Sequence, residues 1–168
     1  MATLIDTAGA TDANTYCSVA DADTYLEEFR GHTSDWSSAT DGDKGIALLW
    51  ATILIDQKCN WKGQKVTDTQ ALRWPRSFIY DQDGYSTDNT TIPTWLARAT
   101  AEYAFFLLQE DLTVETNRDL VGISELKAGP IELKIDRIAK KASLPPSVWA
   151  MVSFYASRYG RSKTLVRM

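Results

Sequence analysis

The chain has 168 residues, a formal net charge of −4 and a hydrophobic fraction of 44%. That length suits one domain with a real core, and that composition excludes global disorder. The negative balance argues against a dedicated, non-specific nucleic-acid binder of the basic kind.

There is no apolar run long enough to span a bilayer, and no basic n-region followed by an apolar h-region, so neither a membrane span nor a secretory signal is expected. Cys17 and Cys59 have no paired spacing and read as buried or idle thiols. Charge is unevenly spread. Residues 1–43 carry Asp6, Asp12, Asp21, Asp23, Glu27, Glu28, Asp35, Asp41 and Asp43 against Arg30 alone. Residues 127–168 carry Lys127, Lys134, Arg137, Lys140, Lys141, Arg158, Arg161, Lys163 and Arg167 against Glu132 and Asp136. Such polarity either favours head-to-tail contact between copies or solvates two faces.

In chain order, residues 1–17 are small and polar and are expected to be extended or loose. Ser18 is an N-cap with Asp21 three positions on. Val19, Ala22, Leu26 and Phe29 recur at helical spacing, and Gly31 ends that helix. His32 to Thr40 reads as a loop carrying Trp36. A second helix starts near Thr40–Asp43 and ends near Lys58–Trp61. Its stripe is Ile46, Leu49, Trp50, Ile53 and Leu54, widened by Leu48 and Ile55, which predicts a central helix. Residues 61–85 form an aromatic connector: Trp61, Trp74, Phe78, Tyr80 and Tyr85 lie among Lys62, Lys65, Arg73 and Arg76. Pro75 fixes its own φ and keeps Trp74 out of the helical region, and Asp83-Gly84 is a turn.

Pro93 opens a third long helix, to about Asp111, lined by Trp95, Leu96, Ala99, Tyr103, Phe106 and Leu107. Residues 113–119 are a polar break. Ile131, Leu133 and Ile135 then alternate with Glu132, Lys134 and Asp136, a strand pattern; with Val121–Lys127 as the opposing arm and Ala128-Gly129-Pro130 as the turn, a β-hairpin is expected. A lone hairpin is marginal in water, so this one needs a packing partner. Pro145-Pro146-Ser147 opens a last helix bearing Val148, Trp149, Val152, Tyr155 and Ala156, ended by Gly160. Residues 161–168 form a short basic tail.

Site chemistry is sparse. The one histidine, His32, lies in a loop, with no nucleophile-elbow, dinucleotide or Walker motif and no close Cys/His cluster. Asp81, Asp83 and Asp88 lack the spacing of an EF-hand. No enzyme activity, metal or cofactor is expected. Aromatics interleaved with Lys and Arg over 61–76 could stack bases and meet phosphates; the competing reading, favoured here, puts Trp61, Trp74 and Phe78 in the core. Interface candidates are Ile131, Leu133 and Ile135 of the hairpin, Lys140 and Lys141, and Arg161, Lys163 and Arg167 of the tail.

The pattern Trp61-Lys62-Gly63, Gln70-Ala71-Leu72-Arg73-Trp74-Pro75-Arg76-Ser77 and Asp83-Gly84-Tyr85 resembles a family of tailed-phage proteins labelled DnaT-like single-stranded DNA-binding proteins. These are similar to head-tail connector (adaptor) proteins that ring the portal exit. The resemblance extends to Asn14-Thr15-Tyr16, Val19–Asp23, Ile92-Pro93 and Gly129-Pro130, and thins after about Lys140. It marks Trp61, Gly63, Trp74, Pro75, Arg76 and Gly84 as a structural motif. It implies a mainly α protein, a small helical bundle with an added β-hairpin, over residues 1–168 as one connector domain. It also implies a homo-oligomeric ring of about twelve copies between portal and tail or neck proteins. Double-stranded DNA would pass through its channel, with no membrane partner. The location implied is the virion neck, and the host cytoplasm during assembly. The alternative is a single-stranded DNA-binding replication accessory protein.

Overall fold

A computed structural model describes residues 3–110, 126–128, 131–133 and 144–158. The protein is mainly α with small two-stranded β pairs. Helix α1, Val19–Asp23, runs directly into a π-helical segment, Thr24–Arg30. Then come α2, Ser34–Ser38, α3, Asp41–Lys58, β1, Cys59–Trp61, β2, Gln64–Lys65, and β3, Arg76–Ser77. They are followed by α4, Thr94–Gln109, β4, Leu126–Ala128, β5, Ile131–Leu133, α5, Pro146–Val152, and β6, Ala156–Arg158. All three strand pairs are antiparallel: β1 with β6, β2 with β3, and β4 with β5.

Local chemistry sets the helix ends. The Ser18 hydroxyl accepts the Asp21 backbone N–H, and the Thr40 hydroxyl accepts that of Asp43, so each cap satisfies a donor that the helix cannot. Gly31, at φ 66°, terminates the π-helical segment. The core forms where α3 packs on α4 and α5 packs on α4. Trp36, Leu48, Ile55, Leu96, Tyr103, Val148 and Val152 are fully buried there.

The α3 stripe is corrected by rotation. Ile46, Trp50 and Ile53 face outward, while Ala47, Leu48, Ala51, Thr52, Leu54 and Ile55 are buried. Small residues decide this face: Ala47 and Ala51 on α3 and Ala99, Ala101 and Ala104 on α4 allow close packing, which a count of large apolar residues undervalues. The Thr52 hydroxyl joins the core because it donates to the Leu48 carbonyl at 2.9 Å.

Other expectations also change. The segment before Ser18 is extended but not loose, because Ala13, Thr15, Tyr16 and Cys17 are buried. The Asn14 side chain closes it on itself, accepting from Ile5 N and donating to Thr3 O, both at 2.8 Å. The loop around Trp36 is a short helix, anchored by the indole N–H donating to Asp23 Oδ1 at 2.7 Å. Asp23 also takes the buried Lys44 ammonium at 2.8 Å. The last helix stops at Val152, and Ala156 lies on β6 opposite Trp61. The hairpin pairs Leu126 with Leu133 and Ala128 with Ile131, and residues 121–125 of the expected first arm lie outside the described residues. Ile135, Lys140, Lys141, Arg161, Lys163, Arg167 and the polar break lie outside the described residues, as does most of the basic region.

Candidate nucleic-acid interface

The connector between α3 and α4 has an inner side and an outer side. Inside, Trp74 is the hub of an indole cluster. Trp61 and Trp95 meet it edge-on, with ring centroids at 5.7 and 5.1 Å. Tyr155 stacks flat on Trp95 at 4.3 Å. The Trp61 N–H donates to Asp56 Oδ1 at 3.1 Å. Such edge and stacked pairs add to the burial of the rings themselves.

The motif residues hold that cluster in shape. Arg76 donates to the carbonyls of Lys62 and Gly63, both at 2.7 Å, and of Arg73 at 3.1 Å. One planar guanidinium thus ties the Lys62-Gly63 backbone to that of Arg73. Burial and the neighbouring Arg73 pull its pKa down from the usual value. Gly63 sits at φ 66°, where a Cβ would run into the Ser77 carbonyl and lie 2.7 Å from Ile79 Cδ1. Trp74-Pro75 is a cis peptide. The buried Gln70 amide accepts from Val66 N and Thr67 N and donates to the Leu72 and Pro75 carbonyls, so all its valences inside the bend are used.

Outside, residues 78–87 project as a small antiparallel loop. Asp81 N donates to the Tyr85 carbonyl, Thr87 N donates to the Ile79 carbonyl, and Tyr80 bridges Ser86. The Asp81 carboxylate caps the turn by accepting from Asp83 N and Tyr85 N, and Gly84 supplies the φ of 87° that the turn requires. Ile79 points into the core and is 3% exposed, whereas Phe78, Tyr80 and Tyr85 are 69%, 57% and 73% exposed. Three large rings thus stand in water on a braced loop. The exposed side chains of Lys62 and Arg73 emerge from the same connector, and so do the carboxylates of Asp83 and Asp88. Hydrogen bonds from Thr90 and Thr91 hold Asp88 below the usual carboxylate range. The surface offers stacking faces with mixed charge.

Trp61 and Trp74 are core, as expected, and Phe78 is not. Its φ of 60° turns the side chain away from the cluster. The out-in-out order of Phe78, Ile79 and Tyr80 before Asp83-Gly84 was the available signal for a projecting loop. Gly84 lies at the tip of this loop, and Trp61, Gly63, Trp74, Pro75 and Arg76 lie in its base.

Other reactive groups are quiet. Cys17 and Cys59 are buried free thiols, each pushed up to about 12 by burial first and by nearby carboxylates second. His32 is exposed. Among the described residues no His, Cys, Asp and Glu gather into a metal-holding group, and no helix is long and apolar enough to cross a membrane.

An α3–α4 core carrying an indole-braced aromatic loop is thus the frame of a small helical protein. The chain belongs to the family described as "Putative DnaT-like ssDNA binding protein", whose model matches residues 1–168. No curated protein and no solved structure matches it.

Proposed function

We propose that this protein binds single-stranded DNA, acting by binding and not by catalysis, and that the 78–87 loop is its contact surface. The observation that carries this is the exposure of Phe78, Tyr80 and Tyr85 on a loop fixed by Arg76 and Asp81. Rings held in water by a rigid base lose little entropy on binding and present π-faces to unpaired bases of any sequence. The family description supports the same ligand. Arg73 supplies a phosphate contact, the Lys62 ammonium is held by the Phe154 carbonyl and ring, and the nearby carboxylates keep the electrostatic share small. Stacking therefore dominates, and affinity should depend on salt less than that of basic binders. Native sizing with and without an oligonucleotide tests this. A small species that shifts with single-stranded but not double-stranded DNA supports it; a species that ignores both strands opposes it.

A second reading is the head-tail connector, a ring on the portal in the virion neck. It rests on the motif resemblance and on one observation, the outward apolar row Ile46, Trp50 and Ile53 on α3, which DNA binding does not need. On this reading the hairpin and the tail grip neighbours. Leu133→Asp should then block assembly with the protomer still folded, and charge reversal at Lys140 and Lys141 should weaken assembly, most at low salt. Deleting residues 161–168 should abolish attachment to DNA-filled heads. Normal assembly and attachment by all three variants would remove this reading.

A further inference from the structure

The π-helical segment is the least ordinary piece of backbone in the molecule. Gly31 N reaches the Leu26 carbonyl, five residues back, at 3.2 Å. A π-helix is rare and is frequently found at functional sites. Its effect here is to shift the register of the side chains. Leu26 stays fully buried, Arg30 turns inward to Glu102 at 2.8 Å, and Phe29, expected in the core, stands 66% exposed.

Phe29 is not exposed at random. It lines a groove of about 430 Å³ together with Asp21, Tyr25, Asp6, Ile92 and Arg98. Asp21, Tyr25 and Phe29 are spaced four apart and present a carboxylate and two rings in a row; the Ser18 hydroxyl donates to Asp21 Oδ2 at 2.7 Å, which orients the carboxylate and leaves a lone pair open on each oxygen. From α4, the Arg98 guanidinium faces both rings, 5.3 Å from the centroid of Phe29 and 5.7 Å from that of Tyr25. Among the described residues Arg98 makes no ion pair, so its donors remain available to a ligand while the rings hold it in place.

We propose that this groove is a guanine-selective nucleotide subsite. It rests on the single-stranded DNA reading, which it deepens by adding a base-reading pocket to a sequence-tolerant loop. A purine laid over Phe29 places its Watson–Crick edge towards the Asp21 carboxylate. Guanine offers two adjacent donors on that edge, N1–H and the N2 amino group, which a carboxylate accepts as a pair. Adenine, cytosine and thymine each offer a single donor there, and so form a weaker contact. Arg98 takes the phosphate at the groove mouth. The carboxylates inside disfavour a buried phosphate, which fixes the direction of entry: base inward, phosphate outward.

Isothermal titration of the full chain with dGMP and with dTMP tests the groove, and titration with (dT)20 separately tests the loop. The expected result is dGMP binding tighter than dTMP by about tenfold, since a good bidentate pair discriminates to that degree. Asp21→Asn should erase the difference, because one arm of the amide then presents N–H to N1–H. Phe29→Ala should weaken both nucleotides. Equal affinities, no binding of either nucleotide, or a guanine preference unchanged in Asp21→Asn would overturn the subsite. If dGMP binds with the expected preference but (dT)20 does not bind, the groove stands and the loop reading falls. If (dT)20 binds and dGMP shows no preference, only the groove falls.

Discussion

The Tyr16 phenol donates into the Asp56 carboxylate, lying 2.8 Å from both oxygens across 40 residues of sequence. Asp56 also accepts from the Trp61 indole and from Arg73 N at 3.2 Å. One carboxylate on α3 therefore fastens the N-terminal segment, the indole cluster and the bend before Trp74. Burial pushes the Asp56 pKa up, only partly offset by these donors, and burial also keeps Tyr16 protonated well above its ordinary range.

A carboxyl with a raised folded-state pKa holds its proton longer folded than unfolded. Its contribution is fully present below the unfolded value and is lost as pH rises through the folded one. The stability of the wild type relative to Asp56→Asn should therefore fall as pH rises from the ordinary aspartate range through the raised folded pKa. Urea midpoints of both proteins across that range check this; a difference independent of pH would refute the desolvated carboxyl.

Arg76→Ala should destabilise the fold by about 2 kcal/mol, since it removes charge-assisted bonds to three partly buried carbonyls. Arg76→Lys should recover only part of that loss, because an ammonium cannot serve three carbonyls in one plane. Gly63→Ala should cost about 2 kcal/mol or more through its left-handed φ and the contact with Ser77 and Ile79. Urea unfolding followed by tryptophan fluorescence reads all three.

Both thiols should resist modification in the native state. With pKa values near 12, the thiolate fraction at pH 8 is small, and burial adds a steric barrier. Reaction with a chromogenic disulfide should run about a thousandfold slower than in denaturant. Rapid labelling of Cys17 or Cys59 without unfolding would contradict their burial.

Much of the fold was legible because its signals are local. Ser18 as a cap, the helix start near Thr40–Asp43, Gly31 as a stop and the alternation around Ile131–Leu133 each mark an element through its own chemistry. The α3 face was misread because Ile46, Trp50 and Ile53 outweigh Ala47, Ala51 and Thr52 on any apolar scale, and only the partner helix reveals that small residues are the buried ones. Residues 153–158 were read as helix because their pairing with β1 is a contact across nearly a hundred positions, invisible in local periodicity. The site was half legible. Trp61 and Trp74 followed from burial arithmetic, but the outward turn of Phe78 depends on one backbone dihedral, and the exposure of Phe29 on a π-helical segment that no spacing rule anticipates.

The outer rings should matter to binding and not to folding. Phe78→Ala and Tyr85→Ala lie on exposed side chains, so each should leave the urea midpoint nearly unchanged. Each should remove stacking worth about 1–3 kcal/mol per base. Fluorescence anisotropy of labelled (dT)20, titrated with the wild type and with the Phe78→Ala/Tyr85→Ala double variant, is the direct measurement. Saturable binding by the wild type, weakened by about a hundredfold in a double variant of unchanged stability, is the predicted result. Wild-type affinity in the double variant, or no binding by the wild type, would contradict the loop as a single-stranded DNA surface.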